Sequence, residues 1–170
     1  MIRIVLPLAA TALLGACATP SGPSAQAMLQ PTRGNSTAGE VRFIQRGNTV
    51  IVRGEVRGLK ANAEHGFHVH EKGDCTSGDG MSTGGHFNPM GQKHGPHGSA
   101  EHHVGDLPSL KADAYGVARF SFESSTIAVG SGTNNIVGHG LIVHRDPDDY
   151  STQPTGNAGP RLACAVITRL

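Results

Sequence analysis

The chain has 170 residues, 37% of them hydrophobic, with five Phe, two Tyr and no Trp, enough for a single modest core. Its 14 Lys+Arg against 13 Asp+Glu leave a net charge of +1 with no block of one sign, which argues against an electrostatic nucleic-acid binder or a basic membrane-surface helix. The 24 Gly and 10 Pro, without the period of collagen, suit a loop-rich β protein, and all ten His lie between His65 and His144.

The first segment reads as an export signal. Arg3 supplies a positive start, and Ile4 to Leu14 is an apolar run too short to span a bilayer, which needs roughly 20 residues. It closes on Leu14-Gly15-Ala16-Cys17, which resembles a bacterial lipobox, where the cysteine is lipidated and becomes the first mature residue. Cleavage after Ala18 also fits a small-x-small site. The expected organisation is a signal peptide over 1–16, a lipidated Cys17 with a Pro/Ser-rich tether to residue 24, and one domain over 25–170. That places the protein in the periplasm, anchored to a membrane through Cys17; Ala18 after the cysteine favours the outer one. Membrane contact is expected through the lipid alone.

Within the domain, short β-type runs alternate with glycine-rich turns. Ala25 to Gln30 is a candidate first strand, and Val41 and Phe43 alternate with Glu40 and Arg42. After a turn at Arg46-Gly47-Asn48, Thr49 to Leu59 carries the β-branched Val50, Val52 and Val56. Phe67 to Glu71, Val117 to Glu123, Ile136 to His144 and Leu162 to Thr168 are further strands. No window keeps a helical period, so an antiparallel sandwich or barrel is expected. Lys72 to Leu110 and Arg145 to Pro160 do not fit strands, and loops of that length in a small domain are usually functional.

Cys17 belongs to the leader, leaving Cys75 and Cys164. In an oxidising compartment these would pair, closing a loop worth roughly 4–5 kcal/mol in the chain-entropy model; two free thiols or two thiolate metal ligands are the alternative.

His68-Val69-His70 puts two imidazoles on one face of a strand and Phe67 and Val69 on the other, toward a core. Two same-face imidazoles are half of a metal site, or simply two solvent-facing side chains. His86, His94, His103 and Asp106 follow inside the long loop, and three imidazoles with one carboxylate match four-coordinate zinc. His144 ends a strand that can return beside His68 and His70, and four imidazoles in a tetragonal arrangement suit copper.

Four segments carry a resemblance: Gly66-Phe67-His68-Val69-His70-Glu71, Gly85-His86-Phe87-Asn88-Pro89, His103-Val104-Gly105-Asp106-Leu107 and Gly156-Asn157-Ala158-Gly159-Pro160-Arg161-Leu162-Ala163-Cys164. Together they resemble the copper/zinc superoxide dismutases from about Ala25 to the C-terminus, and the leader and the short second loop resemble bacterial periplasmic members more than cytosolic ones. The resemblance implies an all-β fold, an antiparallel Greek-key β-sandwich or barrel with two long functional loops. It implies superoxide as a small anionic substrate, with one copper and one zinc per subunit. Copper would be held by His68, His70, His86 and His144, and zinc by His86, His94, His103 and Asp106, with His86 bridging. Arg161 would position the anion, and Cys75 and Cys164 would form the intrachain disulfide. Asp148, or its neighbour Asp149, would link His68 to His94.

The alternative function is a non-catalytic copper/zinc-buffering lipoprotein on the same fold. A monomer and a homodimer both stay open. The second loop carries three Asp against one Arg before Pro154, so attraction of superoxide falls to Lys72, Lys93 or Lys60, or is weak. His65 is expected to pack against the copper ligands; His97, His102 and His139 have no role in the pattern and are expected to be solvent-exposed imidazoles.

Overall fold

The alternation of small or branched apolar residues with polar ones builds the sheet. In the computed structural model, which describes residues 22–170, the strands are β1 Ser24–Pro31, β2 Ala38–Arg46, β3 Thr49–Arg57, β4 Glu64–His65, β5 Phe67–His70, β6 Leu110–Lys111, β7 Ala118–Ser124, β8 Gly140–His144, β9 Arg161–Val166 and β10 Thr168–Arg169. Eight of them form one antiparallel sheet in the order β5-β8-β9-β1-β2-β3-β7, with β10 also on β1; β4 and β6 make a separate ribbon. The sheet curls into a half-barrel, so β5 and β7, at opposite ends of the order, meet across the interior: the rings of Phe67 and Phe120 stand 5.5 Å apart at 63°. No helix among the described residues is long and apolar enough to cross a membrane.

The core follows the two-residue period. Ala25, Ala27 and Leu29 from β1, Val41 and Phe43 from β2, Val50, Val52 and Val56 from β3, and Leu141 and Val143 from β8 are buried together. Each fully buried Val, Leu or Phe contributes about 1.5–3 kcal/mol over its exposed state.

Two expected strands are shorter than the sequence suggests. Ile136 to His144 forms strand only from Gly140, because the chain turns at Gly138, whose φ of 89° favours glycine, and the His139 amide donates back to the Ile136 carbonyl at 3.2 Å. Leu162 to Thr168 breaks at Ile167, where the pairing passes from β9 to β10. The β4–β6 ribbon has no sequence signal; it is held by Glu64↔Lys111 and His65↔Leu110 pairing and an exposed Lys111–Glu64 ion pair of 2.9 Å.

The two long loops are where the pattern places them, between β5 and β6 and between β8 and β9. The first is stitched to the free edge of β5: the Phe87 amide donates to Val69 at 2.8 Å, the Val69 amide to Gly105 at 2.9 Å, and the Leu107 amide to Phe67 at 3.3 Å. Those bonds set His70 opposite His86 and His68 opposite Asp106. Local pairing thus brings loop residues into fixed register with a strand.

Candidate metal centre

On β5 both faces are buried. Phe67 and Val69 enter the core, while His68 and His70 are 0% and 1% exposed beneath the loops. Solvent-facing histidines are therefore excluded, and a buried imidazole needs a partner.

Two groups of potential ligand atoms assemble there, each with all its atoms within 4.8 Å of one another: His68, His70, His86 and His144, and His86, His94, His103 and Asp106. All seven residues are buried, and His86 belongs to both groups. In the second group Asp106 Oδ1 lies 2.8 Å from His86 Nδ1, 3.1 Å from His94 Nδ1 and 3.3 Å from His103 Nδ1. His103 Nδ1 and His86 Nδ1 are 3.3 Å apart. Three imidazoles aimed at one carboxylate oxygen make poor hydrogen-bond geometry, but tetrahedral bonds of about 2.0–2.1 Å put ligand atoms roughly 3.3 Å apart, close to these separations. The other oxygen, Oδ2, accepts the amides of His103 at 2.9 Å and Gly95 at 3.2 Å, which aims Oδ1 inward.

In the first group His144 Nε2 and His70 Nε2 are 3.5 Å apart, and the buried His68 Nδ1 and His86 Nε2 have no hydrogen-bond partner in the protein. Unpartnered lone pairs converging in a dry pocket suit a cation better than they suit each other. A four-imidazole set suits copper, and a three-imidazole, one-carboxylate set suits zinc.

The electrostatics favour the ligand form. Burial, then the neighbouring imidazoles, holds His68 and His70 well below the usual imidazole range. Burial takes His144 down to about 4 and lowers His86 as well. Unprotonated imidazoles keep the lone pair a metal needs. Burial opposes both a charged Asp106 and a charged His94, yet the imidazoles hydrogen-bonded to Asp106 hold its carboxyl low, and Asp106 in turn holds His94 up.

Asp148 donates no ligand atom to either group but touches residues of both. Its Oδ2 is 2.8 Å from His68 Nε2, which leaves His68 Nδ1 for the cluster, and its Oδ1 is 3.9 Å from His94 Nε2, beyond hydrogen-bond distance. Burial raises this carboxyl to about 7. Asp149 is turned to the exposed Ser151 and Thr152 and does not take that place. Gln153, which the sequence does not single out, clamps the loop: its Oε1 accepts the His94 amide at 2.8 Å and its Nε2 donates to the His94 carbonyl at 2.9 Å. Fifty-nine residues separate the pair, and no local pattern could disclose it.

Arg161 begins β9, and its guanidinium is fixed by the carbonyls of Gly80 and Gly84 and by the Thr83 hydroxyl, using three of its five N–H donors. Its charge is close enough to depress both His70 and His144. Cys75 and Cys164 are bonded, with Cα atoms 5.9 Å apart, so the start of the loop that holds Arg161 is tied three residues beyond it. The other loop offers little free positive charge: Arg145 pairs with Asp146 at 2.9 Å.

The remaining histidines require a correction. His97, His102 and His139 are half-buried and hydrogen-bonded, where solvent-exposed imidazoles are expected. His139 lies on Phe87 with ring centroids 4.0 Å apart, and His97 meets Phe122 at 5.9 Å. His65 is fully buried, its Nδ1 2.9 Å from the His144 carbonyl, in agreement with a residue packed behind the copper set. Cys17 lies outside the described residues.

Comparison with known proteins agrees with this geometry. The family described as copper/zinc superoxide dismutase (SODC) matches residues 37–167. The chain is 45% identical over 135 residues to the Cu-Zn superoxide dismutase of Paramecium bursaria Chlorella virus 1, covering 76% of this chain and 71% of that one. It is 38% identical over 133 residues to Cu-Zn superoxide dismutase 2 of Aquifex aeolicus (strain VF5), covering 76% and 78%. Among solved structures, that of the clock protein EA4 superposes with a TM-score of 0.80 at 37% identity, over 90% of this chain and 98% of that one. With two metal-ligand groups sharing one histidine and a family match across most of its length, the chain belongs to the copper/zinc superoxide dismutases.

Proposed function

We propose that this chain converts superoxide to dioxygen and hydrogen peroxide, with copper held by His68, His70, His86 and His144 and zinc by His86, His94, His103 and Asp106. The observation that carries the reading is the shared residue: His86 offers Nδ1 to one group and the buried, unpartnered Nε2 to the other. Copper, when bound, supplies the one-electron couple that zinc lacks. His86 Nε2 is the atom placed to take up and return a proton between the two half-reactions. Asp148 fixes the ring of His68, and Asp106 fixes that of His86, as carboxylates behind metal-bound imidazoles do. Arg161 keeps two donors that these bonds do not use and a fixed positive charge, the means to position a small anion. A metal-buffering role would not need that guanidinium. Replacing His144 by Ala tests the ligand set: superoxide consumption is lost while the fold persists, and a variant with full activity overturns the assignment.

The leader supports export to the periplasm, with lipid on Cys17 and an outer-membrane anchor. The Cys75–Cys164 bond fits an oxidising compartment. Mass spectrometry of the mature N-terminus tests this: a diacylated Cys17 is expected, and an unmodified residue after Ala18 refutes lipidation. Whether two copies associate is a matter for sedimentation.

A further inference from the structure

Six of the ten histidines converge on the two ligand groups, and the other four lie outside them. All four make the same bond. The Nδ1 of His65 lies 2.9 Å from the backbone carbonyl of His144, that of His139 3.2 Å from His70, that of His97 2.8 Å from Asp106, and that of His102 2.7 Å from His103. A carbonyl oxygen can only accept, so Nδ1 carries the hydrogen in each. The partners are two residues from the copper set and two from the zinc set, each bonded once.

We propose that His97, His102 and His139, to which the sequence pattern gives no role, are positioning residues that fix the backbone of metal ligands through their Nδ1–H groups. The proposal rests on the two-metal reading above. The need for such bonds follows from where the ligands sit. His103 and Asp106 lie in a loop outside the strands, tied to β5 by the single bonds Val69 to Gly105 and Leu107 to Phe67, and the two histidines add further bonds at the ligands' own carbonyls. His103 and Asp106 are also joined by a turn bond, the Asp106 amide to the His103 carbonyl at 3.1 Å, and His102 donates to that same carbonyl. His97 closes the other side at the Asp106 carbonyl. His139 reaches His70 and also lies on Phe87, the residue after His86, so it touches the backbone of one copper ligand and the neighbour of another. A side-chain amide can imitate Nδ1–H, because the Nδ2 of Asn occupies nearly the same place, whereas Phe keeps the ring and loses the donor.

The experiment uses the full domain with both metals, comparing His97→Phe, His102→Phe and His139→Phe with the three Asn counterparts. Zinc affinity is read by chelator competition, the zinc site by the visible spectrum of its cobalt-substituted form, and the copper site by Cu(II) paramagnetic resonance. Thermal melting of the metal-free proteins checks folding. His97→Phe and His102→Phe are expected to weaken zinc by about 10- to 100-fold and shift the cobalt bands, with the copper signal unchanged. His139→Phe is expected to shift the copper signal with zinc affinity unchanged. The Asn variants are expected to restore wild-type values. Phe variants with wild-type affinity and spectra overturn the proposal, and so do Asn variants as impaired as Phe, since restoring the donor would then restore nothing. A Phe variant that does not fold while its Asn counterpart does supports the donor, and failure of both counts against it. If the wild type itself fails to take up two metals, the two-metal reading falls first.

Discussion

Cutting the Cys75–Cys164 bond, by Cys75→Ser with Cys164→Ala or by reduction, removes a constraint on the unfolded chain. The two residues are 89 apart in sequence, and for a loop of that length the chain-entropy relation gives about 4–5 kcal/mol at 25 °C. The folded state has other holds on both ends: Cys164 is paired to Gln30 and Ile142 within the sheet, and the loop after Cys75 is stitched by Lys72–Thr83 and Arg33–Gly78 backbone bonds. The loss therefore falls mainly on the unfolded side. For a domain of this size it corresponds to a midpoint lower by about 10–20 °C. Guanidinium unfolding of the metal-free protein, wild type against variant, measures it directly. Metal-loaded protein is expected to lose a similar amount, because the unfolded chain lacks the assembled site. A loss below about 2 kcal/mol in both forms would refute the loop-closure account. A loss confined to metal-free protein would show that the bond acts by ordering the folded loop.

Arg161→Ala is expected to slow superoxide consumption about ten- to a hundredfold, the worth of a charged hydrogen-bond donor, while copper stays bound; copper content and rate, measured together, check this. Gly156→Ala is expected to cost most of the zinc: Gly156 has φ 66°, and an added Cβ would collide with His94 Nε2 and crowd Asp148 Oδ1, so bound zinc per chain should fall well below wild type. The metal-free protein is expected to weaken in acid. His144 is held at about 4 against 6.5, so the unfolded chain protonates first and about 3 kcal/mol, present above 6.5, is lost as the pH falls through 4. His68 and His70 act in the same sense. Buried Asp148, raised from 3.8 to about 7, acts oppositely, stabilising fully below 3.8 and losing that contribution as the pH rises through 7. Urea midpoints should therefore fall between pH 6.5 and 4, more steeply in Asp148→Asn, and a flat profile in that variant would contradict the assignment.

The strands were legible because a sheet with one buried face writes its period into the sequence: Val41 and Phe43, or Phe67 and Val69, declare an inward side. The same period put His68 and His70 together on the other face. The loop residues follow no period. His86, His94, His103 and Asp106 were recognisable as residue types and through a family resemblance, but their convergence depends on bonds such as Phe87 to Val69 and Gly105 to Phe87, set by tertiary folding. Gln153 on His94, the β4–β6 ribbon and the carbonyl contacts of His97 and His139 share that origin, whereas His102 bonds the adjacent His103, a local contact that no sequence period marks. A histidine bonded to a distant main-chain oxygen looks in sequence like any exposed one.

The most direct test of the account is the decay of superoxide, followed spectrophotometrically in the presence of protein whose metals have been counted. The account predicts one copper and one zinc per chain and a rate proportional to bound copper, persisting over many turnovers and absent from zinc-only protein. Full copper occupancy with no acceleration over the uncatalysed decay would contradict it.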